Sequence, residues 1–257
     1  QNTLAFPWRY VGYLEVAQGG NQVGTCTGTL ISRHVVLTAA HCFYSAEHGV
    51  RRDVSFYPGL DGRKSPLGRF KAKDIVFLKP VEDELDNNYD VAFVLLEKSP
   101  YTVGQFQYGR TIPFGVVNDS HFEDSREDFP LALVAAGYPT LDADHAMSGK
   151  LIVRSTTRYR NSVIAGKTNQ FEHRAMTEVG TSGGPIFAVD PLYNRFALIG
   201  LISAQRKWSD GDAWGVGIKI NPFSQKRIQQ VVARYEPDYQ VAGRHAVQAR
   251  TAQTAAR

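Results

Sequence analysis

Three short segments of the sequence carry side chains that could together perform nucleophilic catalysis. Ser182 lies in the run EVGTSGGP, His41 in TAAHC and Asp90 in NYDVA. A serine hydroxyl at its ordinary pKa is a weak nucleophile, so it needs an imidazole to take its proton and a carboxylate to orient that imidazole. The three residues therefore predict a nucleophile, a general base and an orienting acid.

Two glycines beside the serine predict where negative charge would be stabilised. Gly180 and Gly183 flank Ser182, and glycine readily adopts the positive φ angles that a sharp turn requires. In such a turn the backbone amides of Gly180 and Ser182 can point at one spot. We therefore expect these two amides to form an oxyanion hole.

Composition and charge restrict the class of protein. The chain has 257 residues, of which 43% are hydrophobic and 21% charged, as in an ordinary soluble globular protein, and it contains no apolar stretch of membrane-spanning length. The net charge is +4, and the arginines of residues 240–257 are sparse and lack interleaved aromatic residues. That pattern favours a solvated tail over a nucleic-acid contact, so we expect neither membrane nor nucleic-acid partners.

Short runs rich in Val, Ile, Phe, Tyr and Thr alternate with turn residues along the chain, which is typical of an all-β protein. The predicted strands are residues 10–16, 24–31, 34–38, 54–57, 71–78, 90–96, 131–137, 148–155, 162–164, 171–176, 185–189, 196–204 and 214–220. Apolar residues recur at helical spacing only between Pro222 and Tyr235, behind Asn221 as a cap, and Pro237 ends that run.

The strands fall into two groups, which predict two β-barrels. Residues 99–129 between the groups are rich in Pro, Gly and acidic residues, as in a linker. We expect one barrel at 10–110 with His41 and Asp90, a second at 128–236 with Ser182 and the helix, and a flexible tail at 237–257.

The only two cysteines, Cys26 and Cys42, lie in apolar runs without metal-ligand spacing. A disulfide is the preferred interpretation, and two buried free thiols are the alternative. The chain begins at Gln1 without a signal peptide, which fits both a matured exported chain and a trimmed sequence. Secretion is therefore an expectation drawn from the cysteines.

Together, the three motifs resemble those of the chymotrypsin-like serine endopeptidases, and the match covers most of the chain. The resemblance implies two six-stranded antiparallel Greek-key barrels packed against each other, with a short C-terminal helix. It implies that His41 is the general base and acid, that Asp90 orients it, that Ser182 is the nucleophile, and that Cys26 pairs with Cys42. Ser203 matches the family serine that hydrogen-bonds the catalytic carboxylate.

The residue before the nucleophile departs from the animal members of that family. They carry an aspartate there, which binds the N-terminal amine released on zymogen cleavage, whereas this chain has Thr181. Packing and neutral hydrogen bonds must then hold the oxyanion site. One disulfide, the run GYP and a neutral residue before Ser182 are more similar to the bacterial glutamyl-endopeptidase branch.

The resemblance also implies which residues form the primary specificity pocket, which receives the substrate side chain before the scissile bond, P1. Met176 and Thr177 fall at its base, and Gly215 and the segment 203–205, which ends at Gln205, form its walls. Because no carboxylate lies at the base, we do not expect a preference for Lys or Arg.

The glutamyl branch has a histidine just before the serine that Ser203 matches, but here Ile202 stands in that position. We therefore expect a medium-sized apolar or uncharged polar P1 side chain. Glutamate is the second choice, because Arg206 and Lys207 could supply positive charge from nearby.

No other cluster predicts a metal or cofactor site. The acidic loop at 82–86 lacks the alternating spacing of a dedicated calcium loop and is better interpreted as solvated. The other histidines have no partner at metal-ligand spacing and are interpreted as surface or core residues; they are His34, His48, His121, His145, His173 and His245. We expect no cofactor, protein or peptide substrates, and a monomer.

Three hypotheses for the function follow. The leading one is a secreted serine endopeptidase that acts through an acyl-enzyme. The second is a non-catalytic binding or adhesion protein on the same scaffold, because the residue before Ser182 is altered. The third is an ester or thioester hydrolase, since the same acyl chemistry serves those substrates.

Overall fold

The computed structural model describes residues 2–19, 21–81, 84–102, 112–117, 122, 132–140, 149–162, 164, 166–175, 178–190, 195–207, 209 and 211–237. These residues form fifteen strands and one α-helix. The strands are β1 Val11–Gln18, β2 Asn21–Leu30, β3 Val35–Thr38, β4 Tyr44–Ser45, β5 Gly49–Val50, β6 Asp53–Pro58, β7 Phe70–Phe77, β8 Ala92–Leu96, β9 Ala132–Gly137, β10 Ile152–Thr156, β11 Tyr159–Asn161, β12 Gln170–His173, β13 Pro185–Asp190, β14 Arg195–Lys207 and β15 Ala213–Lys219. The helix α1 is Pro222–Tyr235. The all-β prediction is confirmed.

Six antiparallel strands close the first barrel, in the order β1-β2-β3-β8-β7-β6. Closure comes from β1, which pairs with β2 on one side and with β6 on the other. The strands β3 and β8 lie side by side, so that Thr38 pairs with Ala92. The end of β3 and the start of β8 therefore meet at one end of the barrel.

The second sheet has seven strands, in the order β10-β9-β13-β14-β15-β12-β11. Its two outermost strands are consecutive in the chain, because β10 ends at Thr156 and β11 begins at Tyr159. A link this short spans at most about 10 Å, so the opposite edges of the sheet must curl toward each other. The sheet is thus a half-barrel, and the prediction of a second barrel is confirmed in this form.

Three elements differ from their predicted positions. The strand expected at 162–164 lies at 159–161, because β11 is defined by its pairing with β12 and not by the β-branched residues that follow it. The hairpin of β4 and β5 was not predicted, since strands of two residues give no periodic signal. The strand β14 continues to Lys207 as the partner of β15.

The C-terminal helix is confirmed, and it is anchored to the first barrel. The Asn221 side chain caps the helix by accepting a hydrogen bond from the Ser224 amide at 2.9 Å. Just past its end, Glu236 is buried and accepts hydrogen bonds from the Ser32 hydroxyl and the His34 amide. These bonds therefore tie the end of the helix to the β2–β3 turn.

The proposed division into domains remains a prediction. Its boundaries at 110 and 128 and nearly all of the predicted tail lie outside the described residues. Across the described ranges, no helix is both long enough and apolar enough to cross a membrane.

Thr27 on β2 joins the two sheets. Its amide donates to the Ser182 carbonyl at 2.8 Å, its hydroxyl donates to the Gly180 carbonyl at 3.0 Å, and the same hydroxyl accepts from the Tyr138 amide at 2.9 Å. The Thr27 carbonyl accepts from the Thr38 hydroxyl at 2.8 Å. Thr27 is fully buried, so every one of these groups depends on a protein partner. We call this set of bonds the Thr27 contact.

Thr27→Val should destabilise the protein although valine has nearly the same shape. It removes the hydroxyl and leaves the Tyr138 amide and the Gly180 carbonyl without a partner, at a cost of about 1–3 kcal/mol in the free energy of unfolding. Chemical denaturation measures this, with Thr27→Ser as the control that keeps the hydroxyl and loses only a methyl group. An equal or larger loss for serine than for valine would contradict the role of the hydroxyl.

Candidate active site

The pairing of β3 with β8 brings His41 and Asp90 together. His41 lies in a short 3-10 helix that follows β3, and Asp90 lies two residues before the start of β8. Because these two strand ends are adjacent, the His41 Nδ1 atom lies 2.7 Å from Asp90 Oδ2. The His41 backbone amide also donates to Asp90 Oδ1 at 2.9 Å. The carboxylate thus holds both the ring and the backbone of His41.

Asp90 is buried and hydrogen-bonded on both oxygens. The Ser203 hydroxyl, on β14 of the second sheet, also donates to Asp90 Oδ2. Burial by itself raises the pKa of Asp90, but the charge of His41 and the hydrogen bonds from His41 and Ser203 outweigh it, so the pKa is lowered. The carboxylate therefore stays ionised.

The His41 ring faces outward from this carboxylate. Its side chain is 38% exposed, whereas that of Asp90 is 3% exposed. Burial disfavours the imidazolium, but the charge of Asp90 and the hydrogen bond to it prevail, so the pKa of His41 is raised. With Nδ1 bound to Asp90, the Nε2 atom is the one left to exchange a proton.

The turn that carries Ser182 packs directly against the segment before His41. Gly183 has φ +80°, and a Cβ atom there would lie 2.0 Å from Thr38 Oγ1 and 2.7 Å from the Ala39 amide nitrogen. Only glycine allows this approach. The Gly183 amide also donates to the Ile202 carbonyl at 2.7 Å, one residue before Ser203. The turn therefore lies between the His41 segment and the strand that contacts Asp90.

The sequence predicts that the backbone amides of Gly180 and Ser182 form the oxyanion hole. Among the described residues, these two amides donate to no protein acceptor, so both are free to bind a substrate oxygen. Gly180 has φ +87°, and a Cβ atom there would lie 2.7 Å from the Tyr138 carbonyl oxygen. The backbone at this point is thus packed tightly and shaped in advance, as an oxyanion site requires.

The Ser182 hydroxyl forms no hydrogen bond with any described residue, the His41 ring included. Apo enzymes often hold this bond long and tighten it only when the substrate is bound. The His41–Asp90–Ser203 part of the predicted arrangement is therefore formed as bonds, and Ser182 is positioned beside it by its backbone.

Thr181 stabilises the turn without any charge. Its side chain is buried, and its hydroxyl donates to the Glu178 carbonyl at 2.6 Å. The Thr181 side chain also packs on Gly137, where an added Cβ atom would lie 2.8 Å from Thr181 Cβ. This agrees with the expectation that packing and a neutral hydrogen bond hold the oxyanion site.

The residues predicted to form the specificity pocket are only partly described. Met176 and Thr177 lie outside the described residues. Gly215 pairs with Gln205 across β14 and β15, as pocket walls require, and Ile202 is buried in the core below the Ser182 turn. Ser203 instead points to Asp90.

Arg206 is already engaged and does not supply the charge that the sequence suggested. It forms an ion pair with Glu172, whose side chain is fully buried, and hydrogen bonds with Gln170 and Ser162. Glu172 also pairs with Arg160 at 2.7 Å. These groups lie on the face of the sheet opposite to Gln205 and Gly215, as the alternation of side chains along β14 dictates.

Sequence reasoning missed one residue at this site. Thr27 gave no signal, because its neighbours in the second sheet are more than a hundred positions away in the chain. His173, interpreted from the sequence as a surface or core residue, is fully buried beside Phe171.

The disulfide between Cys26 and Cys42 is confirmed, with 6.3 Å between the Cα atoms. It joins β2 to the helix of His41. Within the described residues, the only group of three potential metal ligands is His41 with these two cysteines, and cysteines in a disulfide offer no thiolate to a metal. In the acidic loop, Asp86 binds Lys79 and caps the turn at Asn88, while Glu82 and Asp83 lie outside the described residues.

The sequence of this chain is similar to those of known proteins. The model of the family described as Trypsin matches residues 2–226. The Extracellular metalloprotease of Bacillus subtilis is 32% identical over 112 residues, which cover 43% of this chain and 36% of that protein. The Glutamyl endopeptidase of Bacillus licheniformis is 26% identical over 188 residues, which cover 72% of this chain and 51% of that protein. The chain thus matches between about a third and a half of the length of these relatives.

Solved structures share the fold. A Glu endopeptidase in complex with MPD superposes with a TM-score of 0.66 at 21% identity, covering 90% of this chain and 94% of that one. The protease Anisep from Arthrobacter nicotinovorans superposes with a TM-score of 0.65 at 18% identity, covering 88% and 96%. At these identities the likeness shows the fold, and the family match over residues 2–226 shows the ancestry. The chain belongs to the trypsin family.

Proposed function

We propose that this protein is a serine endopeptidase that cleaves peptide bonds through an acyl-enzyme formed on Ser182. The observation that carries the proposal is the bonding of Asp90, a buried carboxylate that holds His41 Nδ1 at 2.7 Å and leaves Nε2 as the ring nitrogen that can exchange a proton. Membership of the trypsin family supports the reaction class.

The proposed mechanism assigns each group one task. His41 Nε2 takes the proton as Ser182 Oγ attacks the peptide carbonyl, and the amides of Gly180 and Ser182 stabilise the oxyanion. Asp90 stabilises the imidazolium that forms, and His41 then protonates the leaving amine. Water, activated by the same imidazole, hydrolyses the acyl-enzyme.

The proposal extends to substrate and location. The similarity to the Glutamyl endopeptidase of Bacillus licheniformis supports a peptide or protein substrate and is compatible with glutamate at P1. The disulfide supports an oxidising compartment, and the name Extracellular metalloprotease of the Bacillus subtilis relative supports export. The monomeric state and the absence of nucleic-acid partners stay predictions.

Ser182→Ala should abolish stoichiometric labelling by a fluorophosphonate and lower peptide hydrolysis by about 10⁶-fold, because the nucleophile is lost. Mass spectrometry of the labelled protein and a fluorogenic peptide library measure the two effects. Ser155→Ala, on the exposed part of β10, is the matched control and should behave as wild type. An unlabelled wild-type protein would instead favour the non-catalytic scaffold, and cleavage of esters alone would favour the ester hydrolase.

Asp90→Asn should lower kcat by about 10⁴-fold, because asparagine favours the wrong tautomer of His41. In the wild type, the pKa of His41 is raised by Asp90, so activity should fall as the pH drops through that raised value and the base becomes protonated. Removing the carboxylate lowers the pKa of His41, so the acid limb of the kcat/KM profile should move to lower pH. Asp74→Asn, at an exposed ion pair with Arg52, is the control, and an unmoved acid limb in Asp90→Asn would refute the assignment.

A further inference from the structure

Tyr138 has a buried hydroxyl that reaches from the second sheet into the first barrel. The residue directly follows β9, its side chain is fully buried, and its hydroxyl donates to the Leu60 carbonyl at 3.1 Å. Leu60 lies in the loop between β6 and β7. Among the described residues, the Leu60 carbonyl accepts no other hydrogen bond. The Tyr138 side chain thus anchors the end of β9 to the first barrel.

The surroundings of Tyr138 keep its ring in place and its hydroxyl protonated. The ring packs in a small cluster of buried residues from both sheets, and it meets the Tyr13 ring edge-on at a centroid distance of 6.3 Å. Burial and the charge of Asp61 raise the pKa of Tyr138 above its ordinary value. The hydroxyl is therefore a hydrogen-bond donor at the pH of any enzyme assay.

The Ser182 amide of the predicted oxyanion hole is aimed from within its own turn. In a planar trans peptide the N–H points away from the carbonyl of the preceding residue, so a bond to that carbonyl fixes the direction of the amide. The Thr181 carbonyl, which precedes the Ser182 amide, accepts from the Gly184 amide at 2.9 Å. The direction of this amide is thus set locally.

The Gly180 amide is aimed by a different part of the chain, the segment 138–140 after β9. The carbonyl before it, that of Val179, accepts from the Thr140 amide at 2.9 Å. An added Cβ atom at Gly180 would lie 2.7 Å from the Tyr138 carbonyl oxygen and 3.0 Å from the Thr140 amide nitrogen. The segment therefore both packs against Gly180 and fixes the direction of its amide.

We propose that Tyr138 is a positioning residue for the oxyanion hole. Its hydroxyl holds the segment after β9 against the first barrel, so that the Thr140 amide aims the Gly180 amide at the substrate oxygen. The segment has one further anchor in the same barrel, because the Tyr138 amide donates to the Thr27 hydroxyl at 2.9 Å. Removing the Tyr138 hydroxyl therefore loosens the segment without releasing it. This inference rests on the proposed endopeptidase function.

The effect of Tyr138 belongs to the transition state, because full negative charge develops on the substrate oxygen only there. An oxyanion donor contributes most when it is aimed before the reaction begins, and a displacement of about 1 Å at a reacting centre can cost about 100-fold in rate. The neutral carbonyl of the bound substrate depends much less on that aim. A loosened Gly180 amide should therefore lower kcat and change KM little.

Tyr138→Phe keeps the ring and removes only the hydroxyl. It should lower kcat on a fluorogenic peptide by about 10-fold, with KM within about two-fold of wild type, because one oxyanion donor is misaimed but not lost. The affinity for a peptide aldehyde should fall by the same factor as kcat, because its hemiacetal with Ser182 places an oxygen in the oxyanion hole. The acid limb of the kcat/KM profile should not move, because the bonds between His41 and Asp90 are untouched.

Tyr13→Phe is the matched control. Tyr13 is fully buried in the same cluster, and its hydroxyl is also hydrogen-bonded, but it accepts from Gln22 at 3.2 Å within the first barrel. This variant should keep the wild-type kcat and aldehyde affinity, and chemical denaturation shows that both variants are folded in the assay. An unchanged kcat in Tyr138→Phe, or an equal fall of kcat in both variants, would overturn the proposal. So would a lower kcat at an unchanged affinity for the aldehyde.

Fluorophosphonate labelling of the wild type separates this proposal from the proposed function. If the wild type is neither labelled nor active on any peptide, the endopeptidase assignment fails. If it is labelled and active, and Tyr138→Phe has the wild-type kcat and aldehyde affinity, only the role of Tyr138 fails.

Discussion

The Thr27 contact is the constraint on which the arrangement of the site depends. A threonine that is fully buried must pair its amide, carbonyl and hydroxyl within the protein, and Thr27 does so with groups from both sheets. Two of its partners are the carbonyls of Gly180 and Ser182. The turn that presents the predicted nucleophile is therefore held by the first barrel, although the chain that forms it belongs to the second sheet.

The buried charge of Asp90 also requires hydrogen-bond partners from both parts of the protein. An ionised carboxylate is costly to bury unless hydrogen bonds surround it, and Asp90 receives them from His41 and Ser203. His41, which follows β3 of the first barrel, donates from its amide and its ring, and Ser203 donates from β14 of the second sheet. The electrostatics of the site and the packing of the two sheets are thus coupled, because separating the sheets would leave the carboxylate without the Ser203 hydroxyl.

The second sheet divides its polar groups between two faces. On one face, Glu172 is paired with Arg160 and Arg206, so the Arg206 guanidinium is already held in an ion pair. On the other face, the His173 ring is buried beside Phe171, and its Nε2 atom has no hydrogen-bond partner among the described residues. The pleat of β12 thus separates an ion-pair cluster from a buried imidazole, within two consecutive residues.

The amino-acid sequence by itself determined the strand-rich fold, the capped C-terminal helix and the segments around His41, Asp90 and Ser182, because each depends on local patterns of period, glycine and capping. Only the tertiary structure decided which side chains meet. It paired Thr27 with Gly180 and Tyr138, engaged Arg206 with Glu172, moved β11 to 159–161 and placed His173 beside Gly215. The physical reason is that strand register and the curl of the sheet bring together residues that are far apart in the chain. Local sequence patterns report only on neighbours in the chain, so they do not predict these contacts.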